Sequence, residues 1–214
     1  TFFHSEYNDV QIPGSVGVDT NNDGINDTFT GVTTNAASAK ITGVEFEGAW
    51  TFGQDTFTPG DAFNLTWAIG YLDGHYGQFI SGLGVDISDQ VQIQNTPNTT
   101  ANASLAYMVP SFGGDLTMMG QVAYRGDSTQ FEVPFPVLDQ ESFALWNASV
   151  VWDSADGRWQ FGVHGRNLTD EEYRVAGYDF VNNTTFAPEL GLEGVLTAYY
   201  GDPRTFTATV AYRY

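Results

Sequence analysis

NLTDEEYR at residues 167–174, followed after a long polar stretch by YYGDPRTFTATVAYRY at residues 199–214, decides the fold of this chain. From Thr205 onward the residues alternate, with Phe206, Ala208, Val210, Tyr212 and Tyr214 on one side and Thr205, Thr207, Thr209, Ala211 and Arg213 on the other. A period of two is a β-strand, and a strand with one apolar and one polar face can meet lipid on one side and water on the other. Pro203 stands where such a strand begins, a position that tolerates a missing N–H. Asn167 ends the preceding strand, Asp170, Glu171 and Glu172 form a charged turn, and Tyr173 and Arg174 are placed to pack back on neighbouring strands.

Two further stretches, KITGVEFEGAW at 40–50 and NTPNTTANASLAY at 95–107, join that ending in a fixed order. Together they resemble the C-terminal part of TonB-dependent outer-membrane receptors, over most of the chain after about Lys40. The resemblance implies an all-β, antiparallel transmembrane barrel of about 22 strands, of which this chain supplies about eight. It implies that residues 1–214 are a C-terminal segment whose plug domain and N-terminal strands lie outside the chain. It assigns Asn167, Leu168, Thr169, Asp170, Tyr173, Pro203 and Arg204 to barrel registration, and Tyr214 to the terminal aromatic signal for assembly. The implied function is TonB-energised uptake of a scarce nutrient such as a ferric siderophore complex. The implied partners are the outer membrane and its lipopolysaccharide, TonB through the N-terminal region, the remainder of the same receptor and a small-molecule solute. Two alternatives stay open: a self-contained eight-stranded barrel acting as adhesin or anchor, and a secreted calcium-binding β-sandwich.

Composition agrees with a folded β protein: 214 residues, 42% hydrophobic, 15% aromatic, 24 glycines. Cysteine is absent, which removes disulfides, thiol nucleophiles and cysteine metal sites. The net charge of −19, from 26 acidic and 7 basic residues, argues against nucleic-acid binding, which needs clustered Lys and Arg. No apolar run reaches the roughly 20 residues of a membrane helix, and the mean hydropathy is −0.22. Neither observation touches a barrel, because every second residue of its strands faces water.

Alternation predicts eight strands, at about 1–12, 39–53, 62–79, 98–109, 115–127, 142–153, 158–167 and 204–214. The connections 13–38, 80–97, 128–141 and 168–203 are long; those at 54–61, 110–114 and 154–157 are short. Outer-membrane barrels have this asymmetry, with long external loops and short periplasmic turns. On that topology Trp50, Phe52, Phe63, Trp67, Tyr107, Trp152, Trp159, Tyr212 and Tyr214 gather toward the periplasmic ends, as an aromatic girdle does.

The opposite parity places Glu45, Glu47, Arg125, His164 and Arg166 on the lumen side, as partners for one another, for a plug or for a solute. In DTNNDGIND, residues 19–27, oxygen donors recur at Asp19, Asn21, Asp23 and Asp27 with a carbonyl at Ile25, matching nine positions of a calcium loop. The twelfth position is Thr30 where a bidentate Glu is needed, so calcium is one reading and an Asx-rich surface turn the other. His4, His75 and His164 fall on separate strands, no nucleophile or nucleotide motif occurs, and His75 beside Asp73 reads as a solvated rim pair; the chain is not expected to be an enzyme.

Overall fold

The computed structural model describes residues 1–24, 28–81, 84–179 and 195–214, and only the backbone at 13–17, 29, 32, 34–36 and 179. Eight strands form one antiparallel sheet: β1 (Phe2–Val18), β2 (Thr28–Phe52), β3 (Ala62–Phe79), β4 (Thr99–Ser111), β5 (Gly114–Arg125), β6 (Phe143–Ser154), β7 (Trp159–Arg166) and β10 (Thr205–Tyr212). Between β7 and β10 the chain makes a separate hairpin of β8 (Arg174–Asp179) and β9 (Leu196–Tyr200). Each sheet strand pairs with its neighbour in sequence, and β10 returns to pair with β7. The connections β2–β3, β4–β5 and β6–β7 therefore fall at one end of the sheet, and β1–β2, β3–β4, β5–β6 and β7–β10, which include the three longest, at the other.

β1 and β10 are the two edges and do not pair with each other, so the sheet is an open arc of a barrel wall. A closed eight-stranded barrel requires that pairing, and a sandwich requires two stacked sheets; neither alternative matches this topology.

The structure departs from the sequence-based expectation in two places. The connection expected at 13–38 is mostly strand, because β1 and β2 continue as a long hairpin in register from Val18↔Thr28 inward. Pro13 lies within it, as an edge strand permits. The hairpin β8–β9 was not legible in the expected 168–203 loop. Trp67, in the short-turn third of β3, stands apart from the touching rings of the girdle: it lies four residues beyond Phe63, opposite Gly48, and its ring occupies the space where a Cβ at Gly48 would stand.

Registers align side chains into transverse rows, and on one face the rows are apolar from β2 to β10. One runs Trp50, Leu65, Leu105, Gly120, Ala148, Gly165, Phe206, and the next Phe52, Phe63, Tyr107, Met118, Val150, Val163, Ala208. Phe46, Trp50, Val163, Phe206 and Val210 on this face remain more than half exposed, so nothing among the described residues covers it. At the short-turn end it carries a run of touching rings. Trp50 lies 4.7 Å from Phe52, Phe52 5.4 Å from Phe63 and Phe63 4.6 Å from Tyr107. Further round, Trp159 stacks on Phe161 at 5.8 Å and meets Tyr212 at 4.7 Å, and Tyr212 meets Tyr214 at 5.2 Å. The opposite face is polar, with Thr51 donating to Asn64 (2.6 Å), Thr66 bonded to Ser104 (2.8 Å) and Gln160 donating to Asp153 (2.8 Å).

The buried cluster sits at the long-loop end of β2 and β3, where the following loop packs onto them. Ala37, Ala39, Tyr76, Phe79 and Val91 are buried together with Ile87 and Ile93 against them. Because Ala39 and Tyr76 share the polar-face parity of Gly43 and Leu72, the segment carrying Ile87, Val91 and Ile93 folds over the inner side of β1–β3.

Candidate functional site

The long-loop end is one hydrogen-bonded assembly. Gln92 donates its backbone N–H to the Glu132 carbonyl (2.7 Å), Asn95 to Thr129 (2.8 Å), and Ser128 and Gln140 exchange two backbone bonds at 2.9 Å. Leu138, 1% exposed, anchors that loop and supports Gly177 of the β8–β9 hairpin. The Arg174 backbone N–H donates to Gln140 Oε1, and its Nη1 to the Asp139 carbonyl, each at 2.6 Å.

Residues 167–174 are the clip that holds the last excursion to the wall. Asn167 is 4% exposed and sits at φ +48°, a left-handed conformation that Asn tolerates. Its Nδ2 donates to the carbonyls of Glu171 (2.8 Å) and Asp202 (3.1 Å), and its Oδ1 accepts from the Glu171 N–H (2.8 Å). Asp170, also left-handed at +58°, accepts from the Arg204 backbone N–H (2.9 Å) and faces its guanidinium at 3.4 Å. Leu168 lies over Gly165 on the apolar face, and its carbonyl accepts from Arg204 Nη1 at 3.3 Å. Tyr173 stacks on Phe143 at 4.6 Å, with Gly201 so close to the other side of the ring that no Cβ fits there. Thr169 is exposed, Pro203 precedes the strand, and Tyr214 ends the aromatic run.

Two cavities open on this assembly. One of about 260 Å³ is lined by Asp139, Glu141, Glu171, Glu172, Arg174 and Tyr200; another of about 520 Å³ adjoins it at Asp170, Pro203 and Gly201. Their walls are carboxylates and tyrosine with a single cation, suited to hydroxyl donors or positive charge.

The five charged candidates of the inner face lie on the polar side but are not brought into one cluster. Glu45, Gly70, Thr100 and Arg125 share a row, which puts three strand spacings, about 14 Å, between the carboxylate strand and the guanidinium strand. Arg125 instead donates to the Asn95 carbonyl (3.0 Å), and Glu45 borders a cavity of about 230 Å³ with Phe3, Tyr71 and Asn95. Glu47 lies two residues further along the same face, opposite Ala68. His164 bonds Thr209 at 3.2 Å, and Arg166 pairs across from Thr205. His75 Nδ1 lies 4.0 Å from Asp73 with both side chains more than half exposed, a solvated pair.

Of the candidate calcium donors, Asp19, Asn21 and Asp23 are described; Ile25 and Asp27 lie outside the described residues. The Asp19 carboxylate accepts backbone N–H groups from Asn21, Asn22, Asp23 and Gly24 at 3.2, 2.6, 3.3 and 2.7 Å, and Asn21 bonds Asp23. The Gly24 bond, followed by the others, holds the Asp19 carboxyl below the usual range against its partial desolvation. Among the described residues no three acidic or histidine side chains are placed to share a metal ion.

Sequence reasoning missed one structural carboxylate at the short-turn end. Asp61 is 1% exposed and accepts from the Tyr107 hydroxyl (2.7 Å) and from the N–H groups of Thr56, Phe57 and Thr58. The Pro59-Gly60-Asp61 turn signal was present, but nothing in it names the Tyr107 partner.

No curated protein matches the chain. Among solved structures it resembles the ferric yersiniabactin uptake receptor FyuA from Yersinia pestis, with 21% identity and a TM-score of 0.57 over 85% of this chain and 24% of that one. That likeness speaks for the fold, and the chain spans about a quarter of that receptor's length. The family model described as TonB dependent receptor-like, beta-barrel matches residues 1–168. The chain belongs to the TonB-dependent receptor β-barrel family.

Proposed function

We propose that this chain forms one arc of an outer-membrane receptor barrel, the C-terminal part of a larger wall, that takes up a scarce nutrient with energy supplied through TonB. The observation that carries the reading is the two-sided sheet: an uncovered apolar face with a ring band at its short-turn end, backed by a polar face and crowned by packed loops. A soluble protein has no use for such a face, whereas a bilayer covers it. The family is one of transporters and receptors. FyuA is a ferric yersiniabactin uptake receptor, and a ferric chelate is accordingly the first solute to try. Lipopolysaccharide, TonB and the rest of the receptor are the expected partners.

Cells with and without the full-length gene, in backgrounds with and without TonB, are given a panel of radiolabelled ferric chelates, a vitamin, sugars and polyphenols. Accumulation that needs both the gene and TonB supports the reading. Gene-dependent uptake that persists without TonB refutes the energy coupling, and no gene-dependent uptake of any chelate refutes the iron assignment.

A further inference from the structure

Seven non-glycine residues among the described ones have positive φ: Asp9, Asn22, Asp55, Asn95, Asn167, Asp170 and Phe112. Six are Asn or Asp, whose short polar side chains make the left-handed region accessible. Phe112, at +55°, has no such help, and a bulky residue there is an outlier. With Gly113 at +73° it forms the two-residue turn between β4 and β5, closed by the Ser111↔Gly114 pair. Positive φ at both central residues marks a type I′ turn, whose favoured first residue is Asn. Phe112 is also 88% exposed, so no packing among the described residues offsets the strain.

Its surroundings name what does. The carbonyl of Ser111 accepts from Trp152 Nε1 at 2.9 Å, which ties the turn to the aromatic band. A Cβ at Gly60 would stand 2.9 Å from Pro110 Cγ, so the preceding short turn abuts the same hairpin. That turn carries Phe57, 73% exposed and edge-on to Tyr107 at 6.1 Å and Phe63 at 6.3 Å. Asp115 of this hairpin and Asp153 opposite it on β6 lie on the polar face. Phe57 and Phe112 therefore stand on adjoining turns one step beyond the band; the Phe57 ring leans on the outer-face rings Phe63 and Tyr107, and the carboxylate beneath its backbone, Asp61, is buried.

We propose that Phe112, with Phe57, is a membrane anchor: the two rings enter the headgroup region of the leaflet at the short-turn end and fix the height of this arc in the bilayer. Purely apolar rings on turn tips reach past the strand ends, where the tyrosines and tryptophans of the band already sit at the interface. The proposal rests on the membrane reading above, and the test separates the two.

The chain has no cysteine, so single spin labels can be placed by Phe112→Cys, Val163→Cys and Gln90→Cys in the full-length protein, reconstituted in phosphatidylethanolamine–phosphatidylglycerol vesicles. Collisions with oxygen and with a water-soluble nickel chelate then give depth. Val163 is expected in the bilayer interior, Gln90 in water and Phe112 between them. A label at 112 as water-accessible as that at Gln90 overturns the anchor, as does one shielded from both reagents by a protein partner. A water-accessible Val163 removes the membrane reading itself, and the anchor with it. As a second variant, Phe112→Asn supplies the residue the turn prefers and should fold fully; a label at position 57 in that background should shift toward water. No shift overturns the proposal.

Discussion

A charge placed on the apolar face measures directly what covers it. Val163 is 59% exposed in the row Met118, Val150, Val163, Ala208, while His164 next to it points to the polar face. Four residues separate Val163 from Trp159 of the aromatic band, about 13 Å along the strand at roughly 3.3 Å per residue. With a tilt of about 40° that is about 10 Å of height, close to the middle of an apolar band about 25 Å tall. Arg at the midplane of a barrel's lipid face costs about 2–4 kcal/mol. At about 1.4 kcal/mol per decade, Val163→Arg should lower the folding equilibrium constant by a factor of about 30 to 1,000. His164→Arg should change it by less than threefold, since a neighbouring polar face solvates the guanidinium. Urea titration of the full-length protein into vesicles, read by the mobility shift of unheated barrels on gels, gives both numbers. Equal effects of the two substitutions would refute the facing assigned here, and a neutral Val163→Arg would refute lipid contact.

Three further outcomes follow from the clip and the turns. Asn167→Asp keeps the acceptor for the Glu171 N–H but turns a carboxylate toward the Glu171 and Asp202 carbonyls, and should cost about 2–3 kcal/mol locally, seen as faster amide exchange across 168–174 and 201–204. Gly201→Ala places a methyl in the Tyr173 ring and should separate it from Phe143, abolishing the ring-current shift between them in solution spectra. The carboxyl of Asp19 is held below its ordinary value, so its contribution is present above the unfolded pKa near 4 and is lost as pH falls through the lower folded value. Protection of the Asn22 and Gly24 amides should accordingly persist at pH 5–7 and vanish in stronger acid, while Asp19→Ala removes it at every pH.

The wall was readable because its signal is purely periodic. Phe206, Ala208, Val210, Tyr212 and Tyr214 alternate without interruption, and parity alone then fixes which of Val163 and His164 lies on the apolar face. The 13–38 connection misled because Gly14, Gly17 and Gly31 break the apolar alternation, yet cross-strand backbone bonds carry β1 and β2 on without it. That Trp67 stands apart from the touching rings was not legible, because strand parity gives the face but not the depth; depth depends on register, which pairs it with Gly48. Of the site, the NLTDEEYR clip was legible as a turn. The bonds of Asn167 to Asp202 and of Arg174 to Asp139 and Gln140 were not, since they span about 35 residues that only the folded loops bring together.

The most direct test of the account is which end of the arc faces the outside of the cell. Gln90→Cys lies in a long connection and Ala155→Cys in a short turn, both exposed. In intact cells expressing the full-length receptor, a membrane-impermeant maleimide should label the first fully and the second only after the outer membrane is permeabilised. Equal labelling of both in intact cells, or labelling of Ala155→Cys alone, would contradict an outer-membrane barrel with its long loops outside.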